Sequence, residues 1–183
     1  MLGMGPDVSD SWPGVTSRPI VIVDYDPRWP AMFEEEKRRL EGVIGPFGVL
    51  IEHMGSTAVP GLAGKPVIDL LIGIPLLADA ALCIPRIEAL GYDYVPEFEV
   101  EMPYRRFFRK DTGGIRSHQI HMVEPTHAFF GRHQRFRDYL RAHPDVAREY
   151  AALKRELAAR LSPDVEAYAS AKGPFVMAVE ARM

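Results

Sequence analysis

The sequence predicts an α+β protein: a mixed β-sheet with helices mainly on one face, followed by a helical C-terminal part. Three observations carry that prediction. Two short apolar runs rich in β-branched residues, 49–51 and 67–74, flank a glycine-rich loop, a pattern that fits buried strands better than helices. Three further runs between residues 92 and 124 read as strands, with Asp111-Thr112-Gly113-Gly114 as a hairpin turn. After Glu124-Pro125 the period turns helical, and Val146, Tyr150, Leu153, Leu157 and Leu161 fall on one stripe.

Taken in order, residues 1–17 are rich in Gly, Pro, Ser and Asp and read as a flexible tail. Residues 18–183 read as one domain, with a core over about 18–125 and a helical part over about 126–183. The stretch 19–24 (PIVIVD) predicts a short strand. Asp26 is placed to cap a helix opening at Pro27, with Trp29, Met32, Phe33, Leu40 and Val43 as its apolar face. Gly45, Pro46 and Gly48 end it. Leu82, Ile84, Ile87 and Leu90 predict an amphipathic helix over about 77–90, weakened in its first half by Pro85 and stopped at Gly91. Strands follow at 92–95, 104–110 and 115–124. Pro144 then opens one helix and Ser162-Pro163 another, which Gly173-Pro174 is expected to break or kink.

With 183 residues, 47% hydrophobic and 26% charged, the chain is long enough to bury a core. A net charge of -3 and a pI near 6.1 remove any global basic field, so nucleic acid is disfavoured as a partner. No run approaches the roughly 20 apolar residues that cross a bilayer, and the N-terminus lacks a basic segment followed by an apolar one. No membrane partner is expected, and the expected location is the cytoplasm. The single cysteine, Cys83, excludes an internal disulfide framework and a multi-cysteine zinc site. It reads as a core residue of its helix.

The chemistry concentrates between Glu52 and Ile74 (EHMGSTAVPGLAGKPVIDLLIGI). A carboxylate inside a buried strand is costly unless it is paired, hydrogen-bonded or metal-bound, which singles out Asp69. Strand parity puts Asp69 and Leu71 on one face, and His121 on the opposite face from His118. If the two strands are neighbours, Asp69 can meet His121; a bulge would overturn this. The bland alternative for such a pair is a hydrogen-bonded clasp between strands; the site is ranked first. Gly55-Ser56 has two readings, a loop offering N–H groups and a hydroxyl to phosphate or a plain turn. The phosphate-loop pattern GxxxxGK[ST] fails at Val59 and Pro66, so Lys65 is not a phosphate-loop lysine. The run Arg105, Arg106, Arg109, Lys110 is split between two faces by alternation, leaving Arg106 and Arg109 as candidate anion contacts or as charges on a solvated edge. His127, His133 and His143 read as surface residues.

HMGSTAVPGLAGKPVIDLLIGI, followed by YRRFFRK, SHQIHMVE and FRDYLRAHPDVAREYAALKRELA, resembles the GrpB-like family over nearly all of residues 20–179. That family is assigned to the nucleotidyltransferase-fold superfamily and sometimes occurs fused to dephospho-CoA kinase. The resemblance implies a nucleotidyltransferase-like core. In the superfamily a Gly-Ser pair precedes a strand carrying Asp-x-Asp, and a later strand adds another acid. These acids hold two divalent metals that activate a hydroxyl and stabilise the leaving triphosphate. Carried over, Gly55 and Ser56 become the phosphate-binding pair and Asp69 the first aspartate. Leu71 stands where the second aspartate belongs, and His118 and His121 stand in place of the later acid. Asp69 with His121 or His118 would then hold one divalent ion (Mg, Mn, Zn or Ni), completed by Glu52 or Glu124. His121 would serve as ligand or general base. Lys65, Arg106, Arg109, Lys154 and Lys172 complete the candidate phosphate contacts. The expected partner is a small nucleotide or phosphorylated ligand. One reading adds transfer of a nucleotidyl or phosphoryl group; the other is a catalytically degenerate ligand- or partner-binding scaffold.

Overall fold

The computed structural model describes residues 19–183, and the tail expected over 1–17 lies outside them. The described residues build a five-stranded sheet in the order β1-β2-β5-β4-β3. Its strands are β1 Leu50–Met54, β2 Ile68–Gly73, β3 Asp93–Tyr94, β4 Arg105–Thr112 and β5 Ile115–Val123. β2 and β5 run parallel at the centre, and every other pair is antiparallel. Strands β4 and β5 are joined through Gly113-Gly114, with φ of 60° and 79°, the left-handed backbone that a two-residue hairpin turn requires.

The two faces of the sheet are covered by different parts of the chain. Ile68, Leu70, Ile72, Phe108, Ile120 and Met122 are buried beneath helices α1 (Trp29–Ile44) and α2 (Ala80–Glu88). Helix α1 contributes Trp29, Phe33, Leu40 and Ile44 at helical spacing, and α2 runs through Pro85 and buries Cys83. On the other face Met54, Leu71 and Val123 meet Phe129 and Phe130 of α3 (Ala128–Ala142). Helices α4 (Pro144–Leu161) and α5 (Val165–Glu180) extend that cover over the loop between β1 and β2, where Val59, Leu62 and Ala63 pack on Leu140, Val146, Tyr150 and Val179. The C-terminal helices thus close the face that α1 and α2 leave open.

Local departures from the sequence reading have local causes. The stretch 19–24 forms no strand beyond a bridge in which Val23 and Gly64 exchange two backbone hydrogen bonds of 3.0 Å. Its partner is a single loop residue, so the ladder has nowhere to extend. Helix α1 opens at Trp29, and the Asp26 carboxylate accepts the Arg28 N–H at 2.9 Å and pairs with that side chain. Asp164 caps α5 by accepting the Ala167 N–H at 2.9 Å, while the Ser162 hydroxyl accepts from Ile20. Gly173-Pro174 does not break α5, which continues to Glu180. Phe175 just beyond it stacks on Tyr150 of α4 with ring centroids 5.0 Å apart, and that packing opposes the hydrogen bond a mid-helix proline loses.

Candidate functional site

The loop between β1 and β2 is shaped before any ligand is considered. His53 is buried, stacked on Phe33 at 4.5 Å, and its Nε2 lies 2.9 Å from Thr57 Oγ1. Thr57 donates onward to the Val67 carbonyl at 3.2 Å, so its oxygen accepts from His53 and fixes a neutral Nε2–H ring. Burial, followed by the charges of Arg141 and Arg137, pushes His53 down to about 3, which keeps it neutral in this role. At the start of the loop Gly55 has φ 72° and ψ -170°, a region essentially confined to glycine. A Cβ there would overlap Asp69 Oδ2 and sit 3.2 Å from its Cγ. A Cβ on Gly64 would likewise overlap the Ser56 side chain. Two glycines therefore let the Ser56 turn fold down onto β2.

The pairing register decides which residues share the site. Asp69 lies opposite Gln119 and Leu71 opposite His121. Phe107 lies opposite His121 and Arg109 opposite Gln119, while Asp69 also faces Met54 on β1. Directly paired residues project on the same side, so Asp69, Gln119 and His121 belong to the face covered by α3–α5. The register shift in the sheet falls at Lys110 and Asp111, between β4 and β5, and leaves the β2–β5 parity intact. His118 lies opposite Ile68 and Lys110. It therefore faces α1, near the buried Glu36 that pairs with Lys110 at 2.8 Å. Of the two histidines weighed for a shared site with Asp69, the fold brings His121 to it and turns His118 away.

A cavity of about 300 Å³ lies between this sheet face and the C-terminal helices. Gly55, Ser56, Lys65, Asp69, His121, Lys154 and Lys172 all line it. Arg106 and Arg109 do not: Arg106 pairs with Glu99 at 3.0 Å and Arg109 with Asp93 at 3.5 Å, toward the β3 edge. Glu124 is also elsewhere, accepting the Leu77 N–H at 2.9 Å. Glu52 is bound by Arg137 at 2.8 Å. Arg137 donates as well to the His53 carbonyl at 2.9 Å, fastening α3 to β1.

The sequence reading missed the α3 wall. Arg132, His133, Phe136, Arg137 and Leu140 line the cavity. Their i, i+3, i+4, i+7 spacing from His133 is a helical stripe that could have revealed them. His133, expected at the surface, is half-buried and lines the cavity, with its Nδ1 2.8 Å from the Phe129 carbonyl. On α5, Ala169, Gly173, Val176 and Glu180 repeat the same periodicity. The cavity is basic in a chain of net charge -3: Lys65, Arg132, Arg137, Lys154 and Lys172 stand against Asp69 and Glu180. Glu180 is itself in an ion pair with Arg132.

Lys154 is the unusual member. It is 2% exposed, and its Nζ donates to Ser56 Oγ at 2.7 Å and to the Ala63 carbonyl, with the Tyr150 ring 4.7 Å away. Among the described residues no carboxylate pairs with it. Burial, then the fields of Lys172 and Arg155, bring its amine down to about 7. Lys172 lies 4.6 Å from the centre of the Tyr168 ring and Lys65 lies 6.0 Å from it. Burial pushes the Tyr168 hydroxyl up to about 12.

His121 is 1% exposed, and Arg105 Nη1 lies 3.0 Å from its Nδ1. A guanidinium only donates, so Nδ1 carries the lone pair and the proton resides on Nε2. A metal or a general-base role at Nε2 would move that proton to Nδ1, against the Arg105 N–H. Leu71, at the position of a second aspartate, is fully buried against Phe129 and Phe130. Among the described residues no three His, Cys, Asp or Glu side chains converge on a point that could hold a metal ion. The resident two-metal centre implied by the fold class does not fit this donor set.

The fold is nucleotidyltransferase-like. It aligns with the Cid1 poly(U) polymerase in its MgGTP-bound crystal structure with a TM-score of 0.51 and 12% identity, covering 76% of this chain and 45% of that one. A family model described as GrpB protein matches residues 19–182, and the chain belongs to the GrpB family. The crystal structure of the conserved protein GrpB from Enterococcus faecalis matches with a TM-score of 0.79 and 33% identity over 88% of this chain and 96% of that one. The UPF0157 protein YqkA of Bacillus subtilis is 39% identical over 89% of this chain, which spans 47% of that relative's length. A dephospho-CoA kinase of Mycolicibacterium paratuberculosis is 27% identical over 88% of this chain, which again spans under half, 45%, of that protein. Among the described residues no helix is long and apolar enough to cross a membrane.

Proposed function

We propose that the cavity binds a nucleotide or another phosphorylated small molecule, with its phosphates on Gly55, Ser56, Lys65, Lys154 and Lys172. The observation that carries this reading is Lys154, a buried amine held by neutral partners inside a basic cavity. A buried cation without a counter-ion is costly, and a ligand oxyanion supplies one. The fold of a neighbour described as a poly(U) polymerase with MgGTP bound is consistent with a nucleotide. The kinship to proteins named dephospho-CoA kinase adds coenzyme A precursors to the ligands worth testing. A divalent ion, where one takes part, would enter with the ligand's phosphates and meet Asp69, as magnesium commonly does.

Binding without nucleotidyl transfer is favoured by Leu71, a fully buried leucine where a second carboxylate would stand. Transfer remains the second reading, resting on the intact Gly55-Ser56 loop facing Asp69.

A thermal melt against nucleoside triphosphates and coenzyme A precursors, with and without Mg or Mn, tests the proposal. A ligand at about 100 times its dissociation constant adds roughly 2.7 kcal/mol, a shift of about 5–11 °C in a domain of this size. The shift is expected to vanish in Asp69→Ala and Lys154→Met. A shift retained in both variants, or none with any ligand, would remove the cavity from consideration. Metal-dependent product formation with a shifting ligand separates the transferase from the scaffold.

A further inference from the structure

We propose that filling the cavity with a phosphate-type oxyanion is coupled to uptake of one proton by Lys154, so that the pocket loses affinity as pH rises above neutrality. The inference rests on the phosphate-binding reading and adds its regulation.

Lys154 Nζ touches a hydroxyl, Ser56 Oγ, and a carbonyl, that of Ala63. A neutral amine satisfies both: one N–H goes to the carbonyl, and its lone pair accepts the Ser56 O–H. An ammonium satisfies both by donating twice. The contacts therefore tolerate either protonation state, and the surrounding charge decides between them. Tyr168 and Lys172 face this corner from α5, Tyr150 and Arg155 flank it on α4, and Lys65 borders the same cavity on the loop side. Arg155 is in an ion pair with Asp24. Asp69 shares the cavity but is not among the partners of Lys154. Burial and the neighbouring cations thus press the amine toward its neutral form, down to about 7.

An oxyanion seated on Ser56 reverses that balance, because an opposite charge within about 4–6 Å favours the ammonium. Below the amine's own value the proton is already in place and affinity is flat. Above it, each binding event must draw a proton from solvent, and affinity falls by about tenfold per pH unit until the complex itself begins to titrate.

The test uses sulfate, a tetrahedral oxyanion that does not titrate near neutrality, added to the full chain at constant ionic strength set with chloride. Its dissociation constant is measured by NMR from about pH 6.5 to about pH 9.5. Calorimetry in two buffers of different ionisation enthalpy counts the protons. The expected result is a roughly tenfold loss of affinity between about pH 7.5 and pH 8.5 with close to one proton taken up. In Lys154→Arg, which stays charged, the slope is expected to disappear. Sulfate affinity that ignores pH in the wild type, or a slope that persists in Lys154→Met, overturns the coupling and leaves phosphate binding standing. No sulfate binding even at the acid end overturns the phosphate reading itself.

Discussion

Gly55 and Asp69 approach so closely that no side chain fits between the β1–β2 loop and the carboxylate below it: a Cβ on Gly55 would overlap Asp69 Oδ2. The contact joins the two most distinctive features of the sequence, and it holds Ser56 beside the sheet.

Gly55→Ala is therefore expected to cost more than a backbone strain alone. Gly61 also has positive φ, 78°, but open space where a Cβ would go. Gly61→Ala reports the conformational cost, about 1 kcal/mol, and Gly55→Ala should exceed it by about 1–3 kcal/mol and abolish ligand binding. Chemical denaturation of the two variants makes the comparison; equal losses would mean that the loop can move away from Asp69.

Lys154 predicts an alkaline gain in stability. Its folded value, about 7, lies below the 10.5 of the ordinary side chain. The unfolded chain therefore holds its proton where the folded chain has released it. The penalty is fully present below about 7 and is relieved as pH climbs toward 10.5, on the order of a few kcal/mol. Denaturation midpoints in the absence of ligand are expected to rise over this window in the wild type relative to Lys154→Met. Parallel profiles for the two proteins would place the amine at an ordinary value.

His53 acts at the acid end with the same sign. Its folded value is depressed from 6.5 to about 3. Its contribution is complete above about 6.5 and is lost as pH falls toward 3, because the unfolded chain protonates first. His53→Phe keeps a ring against Phe33 and is expected to flatten this part of the acid-unfolding profile. An unchanged acid slope in that variant would argue against the neutral ring.

Leu71→Asp restores the superfamily's second carboxylate in name. Leu71 is fully buried under Phe129 and Phe130, so an unpartnered charge there should destabilise by about 3 kcal/mol or more. It is expected to create no metal-dependent transfer. Recovery of transfer in a folded Leu71→Asp protein would show that the helical cover yields readily to a metal.

Arg106 and Arg109 are engaged by Glu99 and Asp93 away from the cavity. Alanine at either position is expected to leave phosphate-ligand affinity within about twofold, and the ion pairs are worth at most about 1 kcal/mol each. A titration of each variant with a ligand that shifts the wild type decides this.

The sheet was legible because its signals are local. Residues 67–74 announce β2 by β-branched density, Gly113-Gly114 announces the hairpin, and parity correctly separates His118 from His121. The site was legible on its loop side for the same reason. Its other wall was harder to read because it depends on how distant helices dock. Nothing near Lys154 in sequence indicates that its amine reaches Ser56, and the stripe that begins at His133 marks one face of a helix without saying what that face meets until α3 is laid against Met54 and Val123. The Asp69–His121 pairing was foreseen as a face. The Arg105 contact that sets the imidazole tautomer was not, because the neighbouring arginines drew the reading toward anions.

The division of cover between the two sheet faces also has a consequence during synthesis. When β5 has emerged at Val123, the face built on Ile68, Leu70 and Ile72 already has α1 and α2 to pack beneath. Met54, Leu71, Val59 and Leu62 still wait for helices that begin at Ala128 and end at Glu180. A nascent chain at that stage displays an oily sheet face, a species prone to self-association. The cavity gains its last wall only with α5, so a ligand can be captured once that helix has docked but offers no shelter to the chain before it.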